Sequence, residues 1–521
     1  MISLRSSVDL QPNRTEEITH KALSPLEKAR QINLDPNTYG SFAEIGAGQE
    51  VAAFFFKAGG ASNTVAKTMS AYDMTFSNAI YGAEESGRYV VESRLLKMLN
   101  KEYALLEQRL GIKMGFERCF FAFADTVTTI NYAKTSQGHG WLGVRFQLKP
   151  QTAPNELIAH VRMYDNDTIS QQQAIGIIGV NMIYACYHYY NDIDMLVKSL
   201  MDHLSPERIE IDMVRVSGPD FEHVDNRLLS LKLVQYGLTN AAIFNPDGKV
   251  MNPADVFYKK NVLVLRGRFR PMTNVNLDML KRGYEQFSKE KDVKKENIEV
   301  IAELTIKDLS AAHGGQINYQ DFLDRVDILC SVGCTVMISN YYEYYRLVSY
   351  LSQHTRSKIG IVLGVYNLLS VFDEKYYENL KGGILESFST LFSRNVKMYL
   401  YPALKSDGKT LCTCENFELP SKSQEYLFKY LLANDKIEDI KEFDRSILGI
   451  FSDNVLQMIK EGRSGWEEMV PDNVARVIKE KCLFGYVPNE KETPTPKNTL
   501  SGLRINEITQ ELMGEAKPLN A

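Results

Sequence analysis

From the 521-residue sequence we expect neither an export signal nor a membrane-spanning segment. Its first residues, MISLRSSVDLQPNRTEE, contain no apolar stretch after the charges, unlike a secretory signal. The longest apolar run, Ala174 to Tyr190, is interrupted by Asn181 and His188 and is shorter than the ~20 residues of a membrane-spanning helix. Cysteine is scarce, and seven cysteines without an export signal predict reduced thiols rather than a disulfide framework. We therefore expect a cytoplasmic protein with no membrane partner.

Several catalytic motifs are also missing. There is no G-x-S-x-G, Walker A or H-E-x-x-H motif, which weighs against hydrolase, P-loop and zinc-peptidase functions. The cysteine pairs lack histidines at ligand spacing, so we expect no metal site in the protein. A net charge of -5 gives no overall attraction to nucleic acid, and we expect no nucleic-acid partner. The sequence leaves open whether the chain forms a homo-oligomer.

The length and the ordinary globular composition suit two or three domains. Three β-rich runs with short connections predict antiparallel neighbours in the N-terminal part. From about Gln171 the sequence alternates between predicted helices and strands, beginning with a helix to Leu204 and including the strands IEIDMVRVSG and AAIF. This alternation favours a parallel, doubly wound sheet. We therefore predict an α/β protein with an N-terminal mixed α+β domain followed by a Rossmann-like domain. The predicted division is a surface arm (1–38), a mixed α+β domain (39–170), a Rossmann-like region (171–420), a helical cap (421–486) and a flexible tail (487–521).

The segment YKKNVLVLRGRFRPMTNVNLDML, Tyr258 to Leu280, carries the strongest functional signal. An apolar strand ends at a turn at Gly267, passes Pro271 and enters a helix near Asn274. The free backbone amides and the dipole of a helix start favour an anion. Guanidinium groups suited to phosphate oxygens are supplied by Arg266, Arg268 and Arg270. The segment therefore predicts a phosphate-binding loop.

The loop resembles that of the nicotinamide and nicotinate mononucleotide adenylyltransferases, in which a strand is followed by G-x-F-x-P-x-T/H-x-x-H and a helix. The matching residues, to which the resemblance gives a nucleotide-binding role, are Gly267, Phe269, Pro271, Thr273 and Asn274. The family's last histidine, which stabilises the triphosphate in the transition state, is Asn276 here, and asparagine carries no positive charge. A second segment, IVLGVYNLLSVF, resembles the family's L-x-G-A-D-x-L-x-x-F segment at Gly364, with Tyr366 in place of the aspartate.

The resemblance implies transfer of AMP from ATP to a nicotinate or nicotinamide mononucleotide, with Mg²⁺ accompanying the ATP. It implies that the phosphates are held by Arg268, Thr273 and Asn276, in chemistry that relies on positioning and charge neutralisation. The segments SFAEIGAGQE, TMSAYDM and EYYRL are also similar to a bacterial family of about this length whose members carry the name nicotinate-nucleotide adenylyltransferase. Two alternatives stay open. One is a nucleotide-binding or scaffold protein without catalysis, since the histidine and the aspartate are replaced, and the other is a purely structural turn.

A third alternative is an enzyme site in the N-terminal domain. The segment GAGQE, with Gly46 and Gly48, looks like half of a dinucleotide-binding fingerprint, although a structural turn also explains it. His139 lies in SQGHGW, where the flanking glycines let the backbone approach a ligand and Trp141 offers a stacking surface. A loop histidine between strands is the structural alternative. The tyrosine-rich run NYYEYYRLVSYL, Asn340 to Leu351, suits either stacking on a base or packing.

Overall fold

The computed structural model describes residues 22–311, 314–393 and 395–488, and its two large β-sheets are packed against helices. Strands and helices are mixed along the whole of these ranges, which confirms the predicted α/β fold class. Within them no helix combines the length and the apolar character needed to cross a membrane. The flexible tail predicted for residues 487–521 lies outside the described residues from residue 489 onward.

The first sheet and its helices are built from the N-terminal part of the described chain. Its strands are β1 (Thr38–Gly46), β2 (Val65–Ser70), β3 (Cys119–Thr128), β4 (Gly138–Phe146), β5 (Asn155–Met163) and β6 (Ile209–Ser217). The helices are α1 (Pro25–Leu34), α2 (Gln49–Ala58), α3 (Met74–Tyr81), α4 (Glu92–Met114), α5 (Thr168–His188), α6 (Ile193–Ser199) and α7 (Asn226–Gln235).

This sheet has the order β2-β1-β3-β4-β5-β6. β1 is parallel to β2 and to β3, and the remaining neighbours are antiparallel. Leu95 and Leu99 of α4 are buried on one face, and Phe55 of α2 and Ile178 of α5 are buried on the other. The strands are therefore mostly apolar on both faces, and the exceptions are buried polar side chains such as Glu44, Asp125 and His160.

Three details of the N-terminal part differ from the sequence-based prediction. Residues 25–34 of the predicted surface arm form α1, because Ser24 and Glu27 cap its start reciprocally and Lys28 is buried against Asn181 and Asp202, at 2.8 and 2.6 Å. The predicted helix from Gln171 to Leu204 is two helices, since Asp192 caps a new start. The strand IEIDMVRVSG pairs with β5 as β6, so the first sheet extends past residue 170.

The second sheet and the remaining elements follow. The strands are β7 (Ala241–Phe244), β8 (Val250–Met251), β9 (Asn261–Arg266), β10 (Ile298–Thr305), β11 (Thr335–Ser339), β12 (Ile359–Gly364), β13 (Val396–Tyr401), β14 (Ala403–Leu404), β15 (Leu411–Cys412) and β16 (Ile437–Asp439). The helices are α8 (Pro253–Phe257), α9 (Asn274–Phe287), α10 (Ile306–Ala311), α11 (Tyr319–Ser331), α12 (Tyr344–His354), α13 (Leu368–Val371), α14 (Gly383–Leu391), α15 (Lys422–Ala433), α16 (Ser452–Lys460) and α17 (Asp472–Lys481).

The second sheet has the order β16-β13-β12-β9-β10-β11-β7-β8, and β14 pairs with β15 separately. The six strands from β16 to β11 are parallel, whereas β7, the predicted strand AAIF, runs antiparallel to β11. From β9 the chain first adds β10 and β11 on one side and then returns to add β12, β13 and β16 on the other. This is the doubly wound order, and it opens a crevice at the carboxyl ends of β9 and β12.

Residues 421–486, predicted as a helical cap, contain α15, α16 and α17 and also contribute the edge strand β16 to the second sheet. Val455 of α16 and Ile478 of α17 are buried in the same hydrophobic core as Leu280 of α9 and Phe322 of α11. α16 and α17 therefore pack on the face of the sheet that carries α9, whereas Phe428 and Leu431 of α15 are buried in the core on the other face, with α12.

Candidate functional site

A cavity of about 380 Å³ lies at the carboxyl ends of the parallel strands of the second sheet. Its wall is formed by residues that follow β9, β10, β11 and β12, among them Gly267, Arg268, Lys307, Asp308, Tyr342 and Asn367. Ligand sites in open α/β sheets are found at this position because the two windings separate there and leave a crevice. The volume falls within the range of about 300–1,000 Å³ that small-molecule sites occupy.

Arg266, the last residue of β9, fixes the shape of this wall. Its Nε and Nη2 atoms each donate to the buried Glu303 carboxylate at 2.9 Å, and its Nη1 donates to the carbonyl of Tyr342 at 2.7 Å. The guanidinium also lies over the ring of Tyr344, 4.4 Å from its centroid. Burial alone would lower the pKa of Arg266, but the Glu303 carboxylate raises it, so the group stays charged. Arg266 thus joins three strand ends and positions two tyrosines.

Lys307 supplies a positive charge to the cavity that no carboxylate neutralises. It is the second residue after β10 and is exposed, and its ammonium forms no ion pair within the described residues. The Nζ atom lies 5.3 Å from the ring centroid of Tyr342 and 5.6 Å from that of Tyr376. Cations favour the faces of aromatic rings, so the two tyrosines hold the ammonium in place without cancelling its charge.

The tyrosines also make this wall aromatic. Tyr342 keeps 46% of its surface exposed, and Tyr344 and Tyr376 border the same cavity. Two acids line the wall: the Asp308 carboxylate accepts a hydrogen bond from the hydroxyl of Thr305 at 2.6 Å, and Glu343 is paired with Arg346 at 3.2 Å. The cavity therefore combines flat aromatic surfaces with one uncompensated ammonium, the features expected of a site for an aromatic anion.

The three arginines of the loop are in different environments. Arg266 and Arg270 are paired with the buried carboxylates of Glu303 and Asp321. Arg268 is 57% exposed, lines the cavity and donates from Nη2 to Asp453 of α16 at 2.8 Å. Arg268 is therefore the loop arginine that can turn toward a ligand.

The rest of the predicted phosphate loop is turned away from the cavity. Phe269 is buried in the core that also contains Trp466, Pro271 is buried, and the amide of Asn274 donates to the carbonyl of Glu468 at 2.9 Å. The backbone amide of Gly267 donates to the carbonyl of Glu303 at 3.1 Å. The loop packs against the C-terminal segment because its apolar residues complete that core, and of the residues from Gly267 to Asn276 the cavity is lined by Gly267 and Arg268.

Thr273 and Asn276, the other two predicted phosphate-holding residues, contact each other. The side-chain oxygen of Asn276 accepts from the backbone amide of Thr273 at 3.0 Å and from its hydroxyl at 3.1 Å, and the Thr273 side chain completes the capping box of α9. A capping box satisfies the amides at the helix start internally. The two side chains cap the helix instead of facing a ligand, so we leave them out of the proposed site.

We expect Asn276→Ala to lower the free energy of unfolding by about 1 kcal/mol, the usual cost of losing a helix cap. Because Asn276 does not line the cavity, the affinity for AMP or ATP should stay within about twofold of the wild type. Urea denaturation and calorimetric titration measure the two quantities. A large loss of nucleotide affinity at unchanged stability would show that Asn276 contacts the ligand.

Gly364, which the resemblance places in the nucleotide pocket, ends β12 beside the crevice. A Cβ atom built there would meet no other atom within 4 Å, so the position is open. Gly364 does not itself line the cavity, but Asn367 and Ser370 from the following turn and helix do. The hydroxyl of Tyr366, at the position of the family's aspartate, donates to the carbonyl of Leu404 at 3.2 Å and lies outside the cavity.

In the N-terminal part, Gly46 and Gly48 form the turn between β1 and α2. Gly46 has a φ of 91°, and a Cβ there would lie 1.9 Å from the carbonyl oxygen of Val127. A Cβ on Gly48 would lie 1.8 Å from a carboxyl oxygen of Asp125. Both glycines therefore serve the close packing of the turn on β3.

His139 belongs to a buried chain of polar side chains. The Asp212 carboxylate contacts Nδ1 of His160 at 2.6 Å, and Nε2 of His160 contacts Nδ1 of His139 at 3.3 Å. Burial lowers the pKa of His139 to about 4, so its ring is neutral at neutral pH. Trp141 is buried with its ring 4.9 Å from that of His160, which leaves no open face for stacking. The structure brings His139 and Trp141 together, and neither of them lines the crevice cavity.

Sequence reasoning missed Lys307, Glu303, Tyr376 and Asp453. Lys307 follows directly on the predicted strand IEVIAELTI, and a charged residue just after a parallel strand is a signal that could have found it. The tyrosine-rich run did contain cavity residues, since Tyr342 and Tyr344 line the site. Asp453 reaches Arg268 from a helix 185 residues away in sequence, and no local pattern marks it.

Comparisons with known proteins give no family for this chain. No family model and no curated protein matches it. Among solved structures, the competence/damage-inducible protein CihA of Agrobacterium tumefaciens is 18% identical, with a TM-score of 0.23 and coverage of 31% of this chain and 94% of that chain. The competence damage-inducible protein A (ComA) of Klebsiella pneumoniae is 13% identical, with a TM-score of 0.22 and coverage of 32% and 94%. A CinA-superfamily protein of Enterobacter cloacae is 9% identical, with a TM-score of 0.23 and coverage of 36% and 99%. At these values the similarity carries no argument about function.

Proposed function

We propose that this chain binds a nucleotide in the crevice cavity, with the base against the tyrosine rings and the phosphate at Lys307 and Arg268. The observation that carries the proposal is the uncompensated ammonium of Lys307 between two tyrosine rings, at the carboxyl ends of the parallel strands. Phosphate needs a cationic donor, and a purine or pyrimidine needs a flat surface. The cavity offers both within about 380 Å³.

The two cationic groups have different tasks in this proposal. Lys307 acts as a point charge whose position is held by Tyr342 and Tyr376. The planar guanidinium of Arg268 can donate two parallel hydrogen bonds to two phosphate oxygens. Because the ion pair of Arg268 with Asp453 is exposed, it contributes little to stability, and a phosphate can replace the carboxylate at small cost.

Stacking on the tyrosines accounts for the base. Base–aromatic stacking contributes about 1–3 kcal/mol per base and requires an exposed ring face. Tyr342 has such a face, and the contacts of Arg266 with Tyr342 and Tyr344 hold the two residues in position before a ligand arrives. Such preorganisation lowers the entropy cost of binding.

Adenylyl transfer is the finer proposal that the resemblance to adenylyltransferases suggests. In that reaction a mononucleotide phosphate oxygen attacks the α-phosphorus of ATP, a new P–O bond forms and pyrophosphate leaves. Of the three residues predicted to hold the phosphates, Arg268 lines the cavity and Thr273 and Asn276 do not. Of the two carboxylates in the cavity wall, Glu343 is paired with Arg346, and Asp308 is the one that would meet a Mg²⁺ ion held mainly by phosphate oxygens. Pyrophosphate release from ATP and a nicotinate or nicotinamide mononucleotide tests this finer proposal.

We expect Lys307→Gln to weaken AMP binding about tenfold or more. A hydrogen bond to a charged group contributes about 1.5–3 kcal/mol, and about 1.4 kcal/mol corresponds to a factor of ten. Isothermal titration calorimetry on the full chain measures the effect. The matched control is Lys429→Gln, which removes an exposed charge from α15 outside the cavity and should leave the affinity unchanged. Wild-type protein that binds neither AMP nor ATP would rule out nucleotide binding.

A further inference from the structure

The number of phosphates that the cavity can accept follows from the charges on its wall. Arg266 is neutralised by Glu303 through two hydrogen bonds of 2.9 Å. Arg268 is neutralised by Asp453 at 2.8 Å. Lys307 is the cation of the described wall that has no carboxylate partner, and Asp308 follows it directly in the sequence. Glu343 also lines the wall, and its carboxylate is paired with Arg346 at 3.2 Å. Apart from these ion pairs, the wall offers the ammonium of Lys307 next to the carboxylate of Asp308.

Asp453 occupies a position from which it controls the second cation. It lies in the first turn of α16, on the C-terminal segment, and its carboxylate is 63% exposed. The main chain of Arg268 is held in place, because its carbonyl accepts from Nη1 of Arg325 at 3.1 Å. A ligand can therefore redirect the Arg268 side chain, but each further phosphate that it brings must approach the Asp453 carboxylate.

We propose that the site, without a divalent cation to neutralise the phosphates, selects a nucleoside monophosphate over a triphosphate and that Asp453 sets this limit. The inference rests on the proposed nucleotide binding. A single phosphate is matched by Lys307, with Arg268 shared between the ligand and Asp453. A triphosphate carries more negative charge into the same space, and Asp308 and Asp453 repel it. Selectivity of this kind comes from an unfavourable charge placed against the wrong ligand.

The test is a calorimetric comparison of adenosine, AMP and ATP without divalent cations, using the wild-type chain, Asp453→Asn and Asp472→Asn. Asp472 is the matched control, because it lies in the first turn of α17, is exposed and forms no ion pair in the described residues. We expect wild-type protein and Asp472→Asn to bind AMP more tightly than ATP. Asp453→Asn should raise the ATP affinity about threefold more than the AMP affinity, since it removes a charge and releases Arg268 from an exposed ion pair.

A double-mutant cycle separates release of Arg268 from a general charge effect. In an Arg268→Gln background, Asp453→Asn should change the ATP affinity much less than in the wild type, because the two residues act through one contact. Wild-type protein that binds ATP as tightly as AMP, or an unchanged ratio of the two affinities in Asp453→Asn, would overturn the selectivity and leave nucleotide binding standing. Failure of all three ligands to bind would remove the proposed function itself, and the selectivity with it.

Discussion

We expect Glu303→Gln to lower the free energy of unfolding by about 3–5 kcal/mol, the range for breaking a buried ion pair by removing one partner. The Glu303 carboxylate is fully buried and accepts two hydrogen bonds from Arg266 at 2.9 Å and one from the hydroxyl of Ser339 at 2.6 Å. Glutamine keeps the shape but removes the charge, and its NH₂ group cannot accept the hydrogen bond that one of the two carboxylate oxygens accepts from the guanidinium. Arg266 would then remain charged and buried without a counter-ion.

Urea denaturation of the full chain measures this loss as a lower midpoint at an unchanged slope. The matched control is Glu299→Gln on the same strand, where the carboxyl accepts from the hydroxyl of Thr335 at 2.6 Å and has no cation within ion-pair distance in the described residues. Burial raises the pKa of Glu299, so a neutral replacement should cost little. A loss below about 1 kcal/mol for Glu303→Gln would contradict the buried pair.

Glu303→Gln should also weaken AMP binding, although Glu303 does not line the cavity. Arg266 holds the carbonyl of Tyr342 and the ring of Tyr344, and its release would loosen the aromatic wall. Positioning of this kind depends on side chains from three strands that meet only in the folded sheet. Titration of Glu303→Gln with AMP, under conditions in which the variant is folded, would show the coupling as reduced affinity.

Alternation of helices and strands is enough to predict the parallel strands β9 to β12, because each is an apolar run followed by a helix. The pattern does not say which strand pairs with which. β6 and β7 are as apolar as their neighbours, yet β6 joins the first sheet and β7 runs antiparallel at the far side of the second. Partner choice depends on contacts between distant segments, and local periodicity contains no information on those contacts.

For the site, too, local sequence predicts the position of an element but not the contacts of its side chains. The strand and turn at Gly267 predict where a ligand approaches, since a strand end before a helix marks the crevice of a doubly wound sheet. The roles of individual side chains could not be predicted in this way. Thr273 and Asn276 bind each other, and Phe269 turns into the core with Trp466, because α9 and the C-terminal segment pack together. Lys307 follows a different strand, β10, and it lies near the loop at Gly267 only because β9 and β10 are neighbours in the sheet.

The first sheet contains a buried pair of carboxyl groups whose protonation should govern the pH dependence of stability. Glu44 of β1 and Asp125 of β3 are direct neighbours in the parallel pairing. Both are buried, and Oε1 of Glu44 and both carboxyl oxygens of Asp125 have no hydrogen-bond partner in the described residues. Burial raises the pKa of Glu44 to about 7. Burial and the neighbouring Glu44 together raise the pKa of Asp125 well above its ordinary value.

A carboxyl group whose pKa is higher in the folded than in the unfolded state binds its proton more tightly when folded. Its contribution to stability is therefore complete below the unfolded pKa, near 4.5 for glutamate, and is lost as the pH rises through about 7. With about 1.4 kcal/mol per pKa unit, ionisation of Glu44 alone should remove about 3 kcal/mol of stability between these limits. We expect the wild-type chain to become progressively less stable from pH 5 to pH 9.

Glu44→Gln should flatten this dependence, because glutamine does not ionise and its amide group can donate to the unpartnered oxygens of Asp125. Urea denaturation at intervals between pH 5 and pH 9 should show the variant gaining stability relative to the wild type as the pH rises, with the largest difference at pH 9. Glu50→Gln is the control, since Glu50 lies on the surface of the adjacent α2 beside Lys57 and should keep the wild-type slope. Parallel pH profiles for Glu44→Gln and the wild type would mean that Glu44 is already ionised in the folded protein and that a counter-charge reaches it.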